Sequence, residues 1–210
     1  MLKGKPLIAW TIKCALKSKY IDKVIVSTDD PKISEISKKY GAKVPFSRPP
    51  HLATDTASSI SVVIHALQKL SEAGENYDYV VLLEPTSPLR EPKDIDECVE
   101  KLHRTGGSVV TVCISEASHP NFLFRKKPDQ RLQRFTPKPA ISYRRQDQAT
   151  LLFPEGTVYC SEVKILKEKK SFYHKNTFGH EVPFWKSFEI DNEDDLKIVA
   201  ALIQSNKFLK

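Results

Sequence analysis

The run Tyr79-Val80-Val81-Leu82-Leu83, followed by Glu84-Pro85-Thr86-Ser87-Pro88-Leu89-Arg90, decides how this chain is read. The apolar run has no polar face, so it suits a strand covered on both sides, as in a parallel sheet. Pro85 and Pro88 cannot continue a ladder, and a helical pattern starts near Lys93 and runs to about His103. The order is strand, sharp turn, helix.

The same order recurs on both sides. Upstream, a helix from Pro6 to about Ser18 precedes Lys23-Val24-Ile25-Val26-Ser27, which reads as a buried strand. Asp29 or Asp30 can cap the next helix, and Gly41 ends it. A short strand near Lys43–Phe46 follows, then a turn-rich loop from Ser47 to Thr56 and a helix from Ser58 to about Ala73. Downstream, Ser108–Cys113 and Thr157–Cys160 read as strands, and a last helix spans about Glu193 to Ile203. This alternation predicts an α/β fold with a doubly wound, mostly parallel sheet. The basic, proline-dotted stretch from His119 to Thr150 departs from it and reads as an excursion within one domain spanning residues 1–210.

Composition narrows the partners. A chain of 210 residues with 40% hydrophobic content supports one ordinary domain with a real core. A formal charge of +7 points to an anionic partner, either nucleic acid or a phosphorylated small molecule. The positive charge is scattered, and its densest run, Lys167-Glu168-Lys169-Lys170, contains an acid and reads as a solvated face. No basic helix or aromatic–basic interleaving supports nucleic acid. Cys14, Cys98, Cys113 and Cys160 form no CxxC pair and sit where reduced core cysteines sit. The apolar run Leu7–Ile12 is too short to span a membrane, so no membrane partner and a cytoplasmic location are expected.

Three stretches can carry chemistry. The first is Arg48-Pro49-Pro50 leading to Thr54-Asp55-Thr56-Ala57-Ser58-Ser59, a hydroxyl-rich loop opening onto a helix N-terminus. It can hold an anionic ligand, or it can simply cap the helix. The second is Glu84 to Arg90, an acid, hydroxyls and an arginine at a strand's carboxyl end, where open α/β sheets bind ligands. An ordinary strand-to-helix turn would use the same residues. The third is Ser187-Phe188-Glu189-Ile190-Asp191, at an expected strand end. Alternation puts Glu189 and Asp191 on one face, where they can share Mg²⁺, unless Asp191 only caps the last helix.

In order and spacing these stretches resemble the acylneuraminate cytidylyltransferases. Gly4–Ile12, Val26-Ser27-Thr28-Asp29-Asp30, Arg48–Ser59, Leu82–Arg90, Arg144-Arg145-Gln146-Asp147 and Ile190-Asp191…Asp195-Leu196 carry the likeness, which covers essentially the whole chain. The resemblance implies that CTP and a nine-carbon 2-keto acid sugar give a CMP-sugar and pyrophosphate. It implies that Arg48, Ala57 and Ser59 hold cytidine, and that Glu84, Ser87, Arg90 and Arg145 face the sugar, with Arg145 also catalytic. Asp191, a catalytic residue by the same likeness, would carry Mg²⁺ with Glu189, and residues 119–150 would form a homodimer arm.

The chain also departs from that pattern. Met1 falls after the family's first strand and its Gly, Arg and Lys-rich phosphate loop, so both are expected to be missing. Glu84 stands where the family usually has glutamine, Glu189 where it has aspartate, and Phe153-Pro154-Glu155-Gly156 where it has Arg-Pro-Asn-Gly. The alternative implied by these departures is a non-catalytic paralogue or fragment that keeps the fold.

Overall fold

The computed structural model describes residues 1–115, 119–136 and 144–205. Local chemistry explains most element boundaries. Helix α1 (Leu7–Ala15) starts after Pro6 and buries Ala9, Ile12 and Cys14. Helix α2 (Pro31–Lys39) is capped by Asp30, whose carboxylate accepts from the Lys32 and Ile33 N–H groups, which decides between the two candidate aspartates. Ser58 caps α3 (Ser59–Glu72) through the Ser61 N–H. Strand β1 (Tyr79–Leu82) leads through the proline-rich turn to α4 (Pro92–Thr105), which opens with a capping box between Glu91 and Asp94. Each cap satisfies helix N–H groups that have no partner within the helix.

The remaining elements are β2 (Ser108–Ile114), the hairpin strands β3 (Phe124–Lys126) and β4 (Leu132–Arg134), β5 (Leu152–Glu162), α5 (Val163–Lys169), β6 (Thr177–Glu181) and α6 (Glu193–Ser205). The main sheet has the order β1-β5-β2-β6. Strand β5 is antiparallel to both β1 and β2, and β2 is parallel to β6. Strands β1, β2 and β6 therefore point one way and β5 alone opposes them. The mostly parallel expectation holds for strand direction, with β5 as the exception.

Both sheet faces are covered. Val109, Val158 and Cys160 pack with Ile95, Cys98 and Leu102 of α4 and Cys14 of α1. Val110 and Val112 face the other way, against Leu67 of α3 and Val163 and Leu166 of α5. Successive strand residues alternate between the two layers, as a doubly wound fold requires. A third cluster joins Leu2 and Leu89 to Val199 and Ile203 of α6. All four cysteines are buried free thiols, and burial pushes the Cys14 thiol up to about 12.

Two expectations need correction. Val24–Ser27 forms no strand of this sheet among the described residues. Its pairing is a single bridge, Ile25 with Lys43, closed by Val26 N–H to Lys43 O at 2.9 Å and Lys43 N–H to Val24 O at 2.8 Å. An apolar run reports burial, but a strand also needs a neighbour, which hydropathy does not specify. Conversely, the sequence reading missed β6, whose Thr-Phe-Gly-His-Glu composition is polar because the strand lies at the sheet edge. Within the 119–150 stretch, β3 and β4 form their own two-stranded sheet, with Leu123, Phe124, Leu132 and Phe135 exposed.

Candidate active site

The candidate residues gather where the carboxyl end of β1 meets an irregularity in β5. Between Val110 and Val112 the register of β2 against β5 slips, from Val110↔Tyr159 to Val112↔Pro154. Thr111 repairs the gap: its Oγ1 accepts from Val158 N–H at 2.8 Å and donates to Val158 O at 3.2 Å. The bulge contains Gly156 at φ +79°, a conformation glycine adopts without penalty. A Cβ there would overlap Glu189 Oε1 and stand 3.1 Å from Ser87 Oγ. The bulge therefore lets β5 approach two side chains from elsewhere in the chain.

Those side chains come from segments that are far apart in sequence. Ser87, fully buried, donates from Oγ to Glu189 Oε1 at 2.9 Å. The Ile190 N–H donates to Thr86 O at 2.9 Å, which fixes the 188–190 stretch beside the turn after β1. Ser59, the first residue of α3, donates to Glu84 Oε1 at 3.4 Å. Glu189 follows a 3₁₀ turn, Phe184–Ser187, rather than the expected strand end. Burial is the largest influence on its carboxyl and pushes the pKa up; Ser87 opposes the shift, and Glu84, Asp191 and Glu155 add to it. Four carboxylates thus share one electrostatic neighbourhood.

Asp191 is exposed, and it does not cap α6. That role belongs to Asn192, whose Oδ1 accepts from the Asp194 and Asp195 N–H groups at 2.9 and 3.1 Å. Asp195 reciprocates, taking the Asn192 N–H at 3.1 Å. The Asp191 carboxylate is left facing solvent beside Glu189. Among the described residues no three His, Cys, Asp or Glu side chains converge tightly enough to hold a metal by themselves.

Arg90 points inward and is 3% exposed. Its Nε donates to Thr157 O, one terminal nitrogen donates to Glu84 O at 3.0 Å, and the other to Thr11 Oγ1 at 3.3 Å. It therefore staples the turn from beneath, whereas the resemblance implied that it faces the sugar. The physical reason is that a sharp turn leaves inward carbonyls needing donors, and a guanidinium supplies several from one side chain. Arg48 is half-buried and engaged at the end of the Val24–Thr28 stretch. Its guanidinium donates to Ser27 O and to Ser27 Oγ at 3.3 Å, and its backbone N–H to Thr28 O at 3.1 Å. Ala57 is half-buried, its N–H bonded to Thr54 O at 3.0 Å. Arg145 opens a short 3₁₀ turn, Arg145–Asp147, and its side chain lies outside the described residues.

The structure adds a tyrosine pair that motif reading missed and gives Glu155, one of the departures from the family pattern, its surroundings. The Tyr159 and Tyr173 rings lie 6.4 Å apart, edge to face. Burial, with Glu84 nearby, holds both phenols above their ordinary range. Glu155 is buried, and its Oε2 accepts from Thr157 Oγ1 at 2.5 Å. Its carboxyl is pushed up by burial, against the pull of Thr157 and Arg90. The expected strand began at Thr157, after Gly156, so the bulge was not legible in the strand pattern, and nothing in the sequence pointed to the tyrosine pair.

A wound α/β sheet that gathers hydroxyls, carboxylates and a helix start at a strand's carboxyl end has the form of a small-molecule enzyme that handles charged substrates. The chain belongs to the cytidylyltransferase family, whose model matches residues 1–210. It is 35% identical to a CMP-N,N'-diacetyllegionaminic acid synthase from Legionella pneumophila, over 99% of this chain and 89% of that protein. It is 30% identical to a pseudaminic acid cytidylyltransferase of Campylobacter jejuni, over 97% and 87%. An N-acylneuraminate cytidylyltransferase of Escherichia coli, also 30% identical, is about twice as long, since the match covers 48% of it. A solved CMP-2-keto-3-deoxy-manno-octonic acid synthetase complexed with CTP superposes with a TM-score of 0.68 at 18% identity, covering 98% of this chain and 90% of that one. That likeness establishes the fold.

Proposed function

We propose that this protein activates a nonulosonic acid, a nine-carbon 2-keto sugar acid, by transferring CMP from CTP and releasing pyrophosphate. The observation that carries the reading is the joint at Gly156. There Ser87 meets Glu189, with Asp191 two residues further along the chain, while Ser59 meets Glu84 at the turn after β1, and this supports a shared site. Those residues belong to motifs spread along the chain, and relatives that match nearly all of it are named for this chemistry.

The residues fit Mg²⁺. Glu189 and Asp191 crowd each other electrostatically, and Asp191 has an open face. Mg²⁺ is commonly held by one or two carboxylates, with water and phosphate oxygens completing the octahedron. When bound, the ion would neutralise triphosphate charge.

The chain's own residues do the rest. Ser59 and Ala57 line the helix start and, with Arg48, form the cytidine side. Glu84 and Ser87 form the sugar side, walled by Tyr159 and Tyr173, and the family likeness assigns Arg145 to the same substrate. Arg90 holds the turn in shape and lends positive charge from beneath. The reaction is attack by the sugar's anomeric hydroxyl on the α-phosphorus; the bond from that phosphorus to the α,β-bridging oxygen breaks, pyrophosphate leaves with its electrons, and the hydroxyl proton passes to solvent. Positioning of two anionic substrates is the chief task. The exposed apolar hairpin of β3 and β4 fits a second copy of this chain, and the four free thiols suit a reducing cytoplasm.

The test is pyrophosphate release with CTP, Mg²⁺ and a panel of sialic, legionaminic and pseudaminic acids. Turnover with at least one sugar, dependent on CTP over the other nucleotides, is expected. No release with any of them overturns the proposal.

A further inference from the structure

Three successive contacts join the stretch 186–190 to the stretch 86–94. Ile190 N–H donates to Thr86 O at 2.9 Å, and Ser87 Oγ donates to Glu189 Oε1 at 2.9 Å. Lys186 Nζ reaches both Asp94 carboxylate oxygens at 2.7 Å and Glu91 Oε2 at 2.6 Å. The stretches pass each other in antiparallel order, 190 against 86, 189 against 87, and 186 against 91 and 94. Lys186 is 4% exposed and Asp94 5%.

A buried ion pair is a poor way to gain stability. Desolvation penalises each ion heavily, and apolar residues of similar volume often serve as well or better. Such a pair is better at fixing register. The ammonium has three donors and meets three carboxylate oxygens, so it is saturated. Asp94 is itself fixed, because its other duty is to accept the Glu91 N–H at 2.8 Å in the capping box of α4. A slip of one residue would put Trp185 or Ser187 opposite Asp94 and strand a buried charge. Burial alone lowers the ammonium's pKa, but Asp94 and Glu91 outweigh it and hold the group above its ordinary value.

We propose that Lys186 is a positioning residue, a buried clasp to the start of α4 that sets the register in which Glu189 meets Ser87 and Gly156 and Asp191 reaches the open side of the site. Its catalytic consequence rests on the function proposed above; the clasp itself does not.

Removing Lys186 alone leaves Asp94 buried without a counter-charge and invites unfolding, so the test uses the paired substitution Lys186→Gln with Asp94→Asn. Backbone amide exchange is followed at Ile190, with Val110 of the central strand as control. Turnover is measured on the same samples. The expected result is roughly tenfold faster exchange at Ile190 with Val110 unchanged, and about a tenfold loss of kcat with the KM for CTP little altered. If the pair does not fold, Lys186→Arg, which keeps the charge but moves its head, is read in the same two assays. Unchanged exchange at Ile190 overturns the clasp, and faster exchange with full kcat overturns its positioning role. A wild-type protein that turns over no sugar counts against the proposed function instead, and the exchange measurement then judges the clasp by itself.

Discussion

Glu189 packs so closely over Gly156 that the glycine has no room for a β-carbon without displacing the carboxylate from Ser87. Gly156→Ala therefore meets two penalties, the overlap and a φ of +79° that alanine rarely adopts. We expect a loss of about 1–3 kcal/mol in denaturant unfolding, together with a drop in turnover. Wild-type stability in this variant would show that the bulge relaxes freely.

Asp191 and Asn192 should separate catalysis from capping. Asp191→Asn is expected to remove most activity while the melting temperature hardly moves, because the cap of α6 is made by Asn192 and Asp195. Asn192→Ala should instead cost about 1 kcal/mol of stability, with activity per folded molecule kept. The reverse pattern would return Asp191 to a structural role.

The crowded carboxylates make stability depend on pH. Glu189 has its pKa raised in the fold, so its ionised form is disfavoured there. The resulting destabilisation is absent below the ordinary glutamate range, about pH 4, and grows as pH rises through the folded-state value. Glu189→Gln should accordingly melt higher than wild type at neutral pH and equal to it near pH 4, with activity reduced. A variant that melts lower at neutral pH would mean that the Ser87 contact outweighs the repulsion.

Glu84 puts a negative charge beside the proposed sugar side. Glu84→Gln should improve the use of N-acetylneuraminate, mainly through KM. An unchanged or worse KM would mean that this carboxylate meets some other group of the substrate.

The exposed hairpin is a candidate dimer surface. Leu132 is 67% exposed and Phe124 48%, on a two-stranded sheet apart from the main one. Sedimentation at micromolar concentration should give a dimer, and Phe124→Asp with Leu132→Asp should give a monomer of unchanged melting temperature. A monomeric wild type would remove the hairpin from the interface.

Much of this was determined by the sequence alone. Helix starts at Asp30, Ser58 and Glu91–Asp94 follow from side chains that reach N–H groups a few residues away, and that chemistry is local. The same holds for the buried run of β2 and for the order of the motifs. What the tertiary structure alone decided depends on contacts between segments distant in the chain. Strand β5 runs against its neighbours, Val24–Ser27 forms a single bridge to Lys43 in place of a strand, and Arg90 turns inward to serve Thr157 and Thr11. Lys186 meets Asp94, 92 residues away, and Ser87 meets Glu189, 102 residues away. Hydropathy and spacing describe what a residue prefers; which partner satisfies it depends on where the rest of the chain has gone, because a buried donor or charge must be paired by whatever the fold brings within reach.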